Sequence, residues 1–167
     1  FKYFNHGGLQ RDFLRIATEC TSRGHDVHAF VSEWEGDKPT DIKITELKTW
    51  GWIFNHAQNK HFHHQLQQEL RRTPFDCVVG FNRMPNLDIY YGADFCYIGR
   101  AVPGYGPWYR IGPRYRHFHT FEKAVFGRDS KTLILSLSER EKSVYQQHYF
   151  TEEDRFHQLP PTLDSDR

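Results

Sequence analysis

The sequence predicts an α/β fold, a parallel sheet with helices on both faces. Short apolar segments typical of buried strands alternate along the chain with segments of helical periodicity. This alternation is typical of units in which a helix connects two parallel strands, and such helices cover both faces of the sheet. The 167 residues, 38% hydrophobic and 26% charged, are enough for one soluble domain with a real core. Ligands of such sheets bind outside the carboxyl ends of the strands.

The first helix follows the glycine pair of "FKYFNHGGLQRDF". Apolar residues recur at helical spacing at Leu9, Phe13, Ile16 and Cys20. Arginines occupy the opposite side of this helix, and Gly24 is a typical stop signal. The pattern therefore predicts one amphipathic helix directly after the glycines.

The rest of the chain supplies the remaining elements. Strands are predicted at 27–31, 41–47, 77–81, 95–98 and 132–137. Helices are predicted over 53–72 and 114–126, and Ser138 with Glu141 forms a capping box for a last helix running to about Tyr149. The closing "LPPTLDSDR" is interpreted as a tail.

The glycine pair also predicts a binding site for an anion. Gly7 and Gly8 have no side chain to block a ligand, and the free N–H groups of the helix that follows point to the same place with the positive end of its dipole. The pair lacks the full dinucleotide and P-loop patterns. The alternative is a tight turn that needs a positive φ angle.

Cysteines and histidines predict neither a disulfide nor a metal centre. Cys20, Cys77 and Cys96 are odd in number and lie in apparent core segments, which favours buried reduced thiols in a reducing compartment. The histidines cluster without a Cys or carboxylate at a recognisable zinc spacing, so a polar helix surface is the preferred interpretation. They are His61, His63, His64, His117 and His119. No apolar run approaches the roughly 20 residues of a membrane helix.

The segment 100–128 concentrates positive charge, with six basic residues against Glu122 alone, although the whole chain has a formal net charge of +1. Its helical stripe of Phe118, Phe121 and Val125 is interpreted as core packing. Aromatic rings beside basic groups suit an anionic lipid leaflet, and this predicts a membrane contact. The residues assigned to it are Trp108, Tyr109, Arg110, Arg114, Arg116 and Lys123. Single-stranded nucleic acid is the rival partner, but no nucleic-acid-binding signature accompanies the patch.

Four blocks of the sequence carry a resemblance to a known family. "KYFNHGGLQRDFLRIATECTSRGHDVHAF", "DCVVGFNRMPNLDIYYGADFCY", "YRHFHTFEKAVF" and "RFHQLPPTLDSD" resemble the lipopolysaccharide core glucosyltransferases of Gram-negative bacteria. These are retaining enzymes of glycosyltransferase family 4 with the GT-B fold. The resemblance implies that residues 1–167 form the Rossmann-like N-terminal, acceptor-side domain, without most of its first strand and without the C-terminal donor-binding domain.

The resemblance also implies an activity and its partners. It implies transfer of a hexose, glucose from UDP-glucose, to heptose of the lipopolysaccharide inner core, by a protein peripheral on the cytoplasmic face of the inner membrane. No cofactor, metal or nucleic acid is expected. Gly7 and Gly8 would face the donor diphosphate. The alternative is a non-catalytic basic and aromatic module that binds a membrane or nucleic acid.

Four further residues are assigned to the acceptor, and one to catalysis. Asp12 is placed in the first turn of the first helix, where it would position sugar hydroxyls; its alternative role is to stabilise the helix dipole. The acceptor-binding residues are Arg11, Asn82, Arg83 and Asp88. The last three follow the strand 77–81 and should lie at the cleft edge, with Arg83 suited to bidentate phosphate binding. In the alternative, Asn82 and Asp88 cap local turns and Arg83 is solvated.

Overall fold

The computed structural model describes residues 2–4, 7–49, 54–101 and 105–159. The chain divides into two compact units, Phe1–Phe75 and Asp76–Arg167. The strand pairs formed between described residues are parallel. The predicted α/β class with parallel sheets is therefore confirmed. Within the described ranges, no helix is both long and apolar enough to cross a membrane.

Among its described residues, the first unit contains two helices and two pairs of strands. In chain order the elements are β1 (Lys2–Tyr3), α1 (Gly8–Ser22), β2 (His28–Val31), β3 (Glu33–Trp34), β4 (Lys43–Glu46) and α2 (Asn55–Arg72). β1 pairs with β3, and β2 pairs with β4. The sequence predicts α1, β2, β4 and α2, whereas the two-residue strands β1 and β3 are too short to show a period.

The core of the first unit holds the residues on both sides of Gly7 and Gly8, the pair that we call the glycine turn. The ring of Tyr3 in β1 stacks on Trp34 in β3, with 3.8 Å between ring centroids. Phe13, on the apolar face of α1, meets Trp34 edge to face at 6.4 Å. Val31 completes this buried cluster. Tyr3 of β1 and Phe13 of α1 thus pack on the same ring of Trp34, which ties the start of α1 to β1.

The second unit is built on a four-stranded sheet in the order β5-β6-β7-β8. The elements in chain order are β5 (Val79–Gly80), β6 (Ile89–Gly92), α3 (Tyr97–Ala101), a 3₁₀ helix (Pro107–Ile111), α4 (Pro113–Phe126), β7 (Leu133–Ser136), α5 (Glu139–Tyr149), a 3₁₀ helix (Glu153–Arg155) and β8 (Phe156–Gln158). The predictions for β5, β7, α4 and α5 are confirmed. Of the predicted tail, all but Leu159 lies outside the described residues.

The core of the second unit forms where α4 and α5 pack on the sheet. Tyr90 of β6 and Ile134 of β7 are neighbours in register, and both are buried. Phe126 of α4 packs edge to face on Tyr90 at 5.6 Å and stacks on Tyr145 of α5 at 3.5 Å. These ring contacts join both helices to β6, which is paired with β7.

The predicted strand at 95–98 is wrong. That part of the chain leads into α3, and β6 supplies the strand instead. The backbone N–H groups of Tyr97 and Ile98 donate to the carboxylate of Glu122, at 2.7 and 3.2 Å, rather than to a neighbouring strand. A side chain distant in sequence thus fixes this backbone, which local composition cannot indicate.

The capping box of α5 forms in part. The hydroxyl of Ser138 accepts the N–H of Glu141 at 3.4 Å, as predicted. The Glu141 carboxylate does not return to Ser138; it accepts the backbone N–H of Cys96 at 3.0 Å and pairs with Arg100 at 3.3 Å. Glu141 therefore connects α5 to the start of α3.

The three thiols differ in their surroundings, and none forms a disulfide. Cys96 is buried and Cys20 is half-buried, but Cys77 is exposed, so the prediction of a buried thiol is wrong there. Cys77 lies two residues before β5, and Val79, the first residue of that strand, is exposed as well. Burial, together with the charge of Glu122, raises the pKa of Cys96 to about 12.

Arg155 is a buried cation that holds the second unit together. Its Nη1 donates to the carbonyl of Gly127 at 2.9 Å, and its Nε donates to that of Thr132 at 3.1 Å. Nη2 donates to the carbonyl of Val125. One side chain thus satisfies three backbone carbonyls between α4 and β7.

Arg155→Met keeps the aliphatic stem and leaves those carbonyls without their donor. Because each of the three unsatisfied carbonyls costs about 1–3 kcal/mol, we expect the free energy of unfolding to fall by at least about 3 kcal/mol. Urea denaturation measures the change. The control is Arg140→Met on the exposed side of α5, which should change stability by less than about 0.5 kcal/mol. Equal urea midpoints for the two variants would contradict the assignment.

Candidate functional site

The glycine turn does not need glycine for its backbone angles. Gly7 is the N-cap residue of α1 and is extended, with φ −87° and ψ 139°. Gly8 is the first helical residue, and the described glycines with positive φ are Gly24 and Gly36. The alternative of a tight turn with positive φ is therefore wrong. Another reason must favour glycine at these two positions.

The space around the two glycines differs. A Cβ atom on Gly8 would have no described atom within 4 Å, and the residue is exposed. A Cβ atom on Gly7 would stand 1.8 Å from Oε1 of Gln10. Because the N-cap residue is glycine, it has no side chain to cap the first-turn N–H groups. These donors and the positive end of the helix dipole lie at the same end of α1 as the exposed Gly8, an arrangement that suits an anion.

Gln10 is a functional candidate that the sequence analysis missed. It is only 8% exposed, and its Nε2 donates to the carbonyl of Lys2 in β1 at 3.2 Å. It occupies the third helical position, where glutamine or glutamate turns back toward the N-cap in a capping box. The position of Gln10 three residues after Gly7 is the sequence signal that could have identified it.

Asp12 lies in the second turn of α1, because the helix begins at Gly8. The predicted position of Asp12 in the first turn is therefore wrong. Its alternative role of stabilising the helix dipole is weakened as well, because the dipole effect falls off within the first turn. Asp12 is half-buried.

Arg11 is exposed and lines a shallow, open depression of about 430 Å³ on the outer side of α1. The assigned roles of Asp12 and Arg11 stay predictions.

The strands of the second unit decide which polar residues reach their carboxyl edge. Asn82 follows β5 and lies at that edge, half-buried. Asp88 directly precedes β6 and lies at the opposite edge, so its predicted position is wrong. Its Oδ2 accepts the backbone N–H of Val78 at 2.8 Å, which fits the alternative of a local cap. Asn82 stays a candidate for contact with a ligand.

Arg83 is neither solvated nor free. Its side chain is 18% exposed, and its Nη1 pairs with the carboxylate of Glu122 and donates to the carbonyl of Phe95 at 3.1 Å. Its Nε lies 3.8 Å from Oδ2 of Asp94. Burial alone would lower the pKa of Arg83, but the acidic groups around it outweigh burial and raise that pKa. The solvated alternative is wrong, and phosphate binding by Arg83 stays a prediction.

Glu122 is the centre of a buried polar network. Its carboxylate is fully buried and accepts the phenol of Tyr149 at 2.5 Å, besides Arg83 and the N–H groups at the start of α3. Burial raises the pKa of Tyr149, and the charge of Glu122 raises it further, so the phenol stays a donor. The signal was available, because Glu122 is four residues after Phe118 and three before Val125, on the predicted core stripe.

Asp94 is a second carboxylate that the sequence analysis missed. It lies two residues beyond β6, at the carboxyl edge of the sheet. Its Oδ2 accepts the phenol of Tyr90 at 3.1 Å, its carbonyl accepts the phenol of Tyr145 at 3.0 Å, and its side chain remains 42% exposed. The sequence predicts the strand at 95–98, and Asp94 directly precedes that segment instead of following it. For this reason the sequence analysis does not place Asp94 at the carboxyl edge. The structure thus holds a partly exposed carboxylate in a fixed position at the predicted edge.

The basic segment presents a mixed surface on the second unit. The 3₁₀ helix Pro107–Ile111 carries Trp108, which is 80% exposed, and Ile111 is exposed as well. The cations assigned to a membrane contact are all exposed, namely Arg110, Arg114, Arg116 and Lys123. We call Trp108, Ile111, Arg110, Arg114 and Arg116 the basic aromatic surface.

Tyr109 differs from its neighbours on this segment. Its hydroxyl bonds to that of Tyr97 at 2.6 Å, and its ring is half-buried and stacks on Tyr105. Tyr109 therefore anchors the 3₁₀ helix to α3 instead of projecting outward as Trp108 does. Phe121 and Val125 are buried, which confirms the core interpretation of that stripe.

The histidine clusters do not gather with other metal-binding side chains. In the part of the chain that the structure describes, no group of three His, Cys, Asp or Glu residues could hold a metal ion. Burial lowers the pKa of His63 and of His119, which favours their neutral form. A metal-independent reaction stays a prediction.

Comparison with known proteins tests the resemblance. No family model matches the chain. The lipopolysaccharide glucosyltransferase WaaG of Escherichia coli K12 is 41% identical over 167 residues, which are 100% of this chain and 44% of WaaG. A crystal structure of WaaG, described as a glycosyltransferase involved in lipopolysaccharide biosynthesis, matches with a TM-score of 0.94 and 40% identity. The match covers 99% of this chain and 45% of that one.

The resemblance to the lipopolysaccharide core glucosyltransferases is confirmed. The chain spans less than half the length of WaaG. The structural match shows that the two chains share their fold. This fold corresponds to half of a GT-B glycosyltransferase. The glycine turn and the carboxyl edge of the second unit thus belong to a fold that is similar to that of WaaG.

Glu122→Gln tests the buried network. The amide keeps the shape of the side chain but removes the nearest counter-charge of Arg83, leaves only the more distant Asp94, and presents an NH₂ group to other donors. Breaking a buried ion pair costs about 3–5 kcal/mol, and we expect the free energy of unfolding in urea to fall by that amount. Tyr149→Phe, which removes one hydrogen bond, should cost about 1 kcal/mol. Exposed Glu152→Gln is the control, and a loss for Glu122→Gln as small as the control would contradict the role.

Proposed function

We propose that the chain is the acceptor-side part of a retaining glycosyltransferase that moves glucose from UDP-glucose to heptose of the lipopolysaccharide inner core. The observation that carries the proposal is the 41% identity to WaaG along the whole chain. The open, uncapped start of α1 at Gly8 supports it, because a nucleotide diphosphate is the anion that such an enzyme must receive.

In the proposed reaction, the bond between the anomeric carbon and the diphosphate breaks, the oxygen of the acceptor hydroxyl forms the new bond to that carbon, and UDP leaves with the negative charge that develops. The first-turn N–H groups of α1 face that charge without having to reorganise, which stabilises the transition state. The leaving phosphate takes the proton of the acceptor hydroxyl on the same face of the sugar, so a strong protein base is not required. Asp12, and Asp94 at the carboxyl edge, are proposed to position sugar hydroxyls. Arg11, Asn82 and Arg83 are proposed to contact the acceptor.

The function is tested on the full-length protein with UDP-glucose and a heptose-containing acceptor. Product should form at a rate that depends on both substrates. The alternative of a non-catalytic module requires that no turnover occurs. The second Rossmann-like domain is proposed to bind most of the donor, so residues 1–167 alone should show no transfer, and measurable turnover by them would overturn the two-domain mechanism.

Gly8→Ala separates the functional role of this glycine from a structural one. Because Gly8 has helical geometry and open space, alanine should leave the melting temperature unchanged or slightly higher. A methyl group in the diphosphate position should lower kcat/KM for UDP-glucose about a hundredfold. The control is Gly106→Ala, where a Cβ atom also meets nothing within 4 Å. Unchanged kcat/KM in Gly8→Ala would place the diphosphate elsewhere.

The basic aromatic surface supports a second part of the proposal, namely that the protein lies on the cytoplasmic face of the inner membrane. Trp108 and Ile111 project beside three exposed arginines, the combination expected at the headgroup level of an anionic leaflet. An acceptor anchored in lipid would be presented at that surface. Nucleic acid is not proposed as a partner.

Replacing Arg110, Arg114 and Arg116 with glutamine tests this contact. Each cation near an anionic surface contributes about 1 kcal/mol, so the triple variant of the full-length protein should bind anionic vesicles roughly a hundredfold more weakly. Transfer to a soluble, delipidated acceptor should remain intact. The control replaces the exposed Arg23, Arg71 and Arg72 and makes the same change in net charge. Vesicle flotation that does not distinguish the two variants, or anionic from neutral lipid, would refute the assignment.

A further inference from the structure

The two glycines of the turn face different atoms, although they are adjacent in the sequence. Gly8 faces open space, whereas the position of a Cβ atom on Gly7 is already occupied by the side-chain amide of Gln10. We propose that Gln10 is a positioning residue that holds the glycine turn in its ligand-receiving geometry, and that position 7 is glycine to make room for it. The ligand part of this inference rests on the proposed function, in which the turn receives the donor diphosphate.

Gln10 connects the first turn of α1 to β1. Its side chain is more than nine-tenths buried, and Nε2 donates to the carbonyl of Lys2 at 3.2 Å. A buried amide is seldom placed where it does not bond, because the loss of its hydrogen bonds to water must be compensated. The bond therefore fixes the distance between β1 and the first turn of α1, on which the exposed N–H groups lie.

The strand that receives this bond is itself fixed. Lys2 and Tyr3 are paired in register with Glu33 and Trp34, and the carbonyl of Tyr3 accepts the N–H of Glu35 at 3.0 Å. The ring of Tyr3 stacks on Trp34. Gln10 thus ties the start of α1 to a strand that is held by backbone pairing and by ring packing.

The requirement for glycine at position 7 comes from Gln10 and not from the backbone. The angles of Gly7, φ −87° and ψ 139°, are available to any residue. A Cβ atom there would lie 1.8 Å from Oε1 and 2.5 Å from Cδ of Gln10, distances that force the amide to move. The next neighbour is Cε2 of Phe4 at 3.0 Å, on a partly exposed ring that can shift. Gly7→Ala should therefore act by displacing Gln10.

Displacement of Gln10 should weaken donor binding more than it slows the chemical step. Without the bond to Lys2, the first turn samples several positions, and the N–H groups must be ordered again when the diphosphate binds. The net contribution of one hydrogen bond corresponds to about a fivefold change in an equilibrium constant. We expect Gln10→Ala to raise the KM for UDP-glucose about fivefold, with a smaller change in kcat and no change in the KM for the acceptor.

A double-mutant cycle on the full-length protein tests the inference. Gly7→Ala, Gln10→Ala and the double variant are compared with the parent in melting temperature and in the KM for UDP-glucose. Gly7→Ala should lower the melting temperature and raise the KM in the parent background, and should change neither in the Gln10→Ala background. The control is Gln68→Ala on the exposed side of α2, which should change neither quantity.

The outcomes separate this inference from the function on which it rests. If Gly7→Ala has the same effect on the melting temperature in both backgrounds, Gln10 is not the reason for Gly7, and this result needs no donor. If the melting temperatures are coupled but the KM for UDP-glucose stays at the parent value in Gln10→Ala, Gln10 is structural only and the positioning role is overturned. If the parent itself turns over no UDP-glucose, the proposed function fails, and the melting temperatures still decide whether Gly7 depends on Gln10.

Discussion

The second unit depends on the fully buried negative charge of Glu122. A carboxylate without any exposure to water remains stable only when donors surround it, and Glu122 is surrounded by a guanidinium, two backbone N–H groups and a phenol. These donors come from the loop after β5, from the start of α3 and from the end of α5. The requirement to satisfy one charge therefore fixes the relative positions of these elements. It also fixes the position of Arg83, whose side chain remains 18% exposed.

The direction of the strands decides which polar residues can serve a ligand. In a parallel sheet, residues that follow a strand lie at the carboxyl edge and those that precede it lie at the other edge. Asn82 and Asp94 follow β5 and β6, whereas Asp88 precedes β6 and ties the two strands together through Val78. Whether a polar residue precedes or follows its nearest strand thus decides whether it lies at the edge where a ligand is expected.

The same reasoning shows what could be predicted from the sequence. Periodicity alone suffices for α1 and α4, because each buries one face, and for β2 and β7, because their apolar runs are bounded by turn signals. It fails at 95–98, since the apolar residues there begin a helix whose N–H groups bond to Glu122, some 25 residues later. Gln10 and Glu122 could have been found from helical spacing. The pairing of Arg83 with Glu122 spans 39 residues, and no local pattern indicates it.

The bond between the hydroxyls of Tyr97 and Tyr109 links the exposed 3₁₀ helix to α3, whose first N–H groups rest on Glu122. Glu122 in turn holds Arg83, in the loop at the carboxyl edge of β5. Trp108 is thus connected to that edge through side-chain bonds at each step rather than through a free loop. A lipid surface in contact with Trp108 and Ile111 would therefore lie at a fixed distance and angle from the sheet. The geometry of the fold, and not the length of a tether, would then determine how far a sugar must extend from a lipid surface to reach the edge.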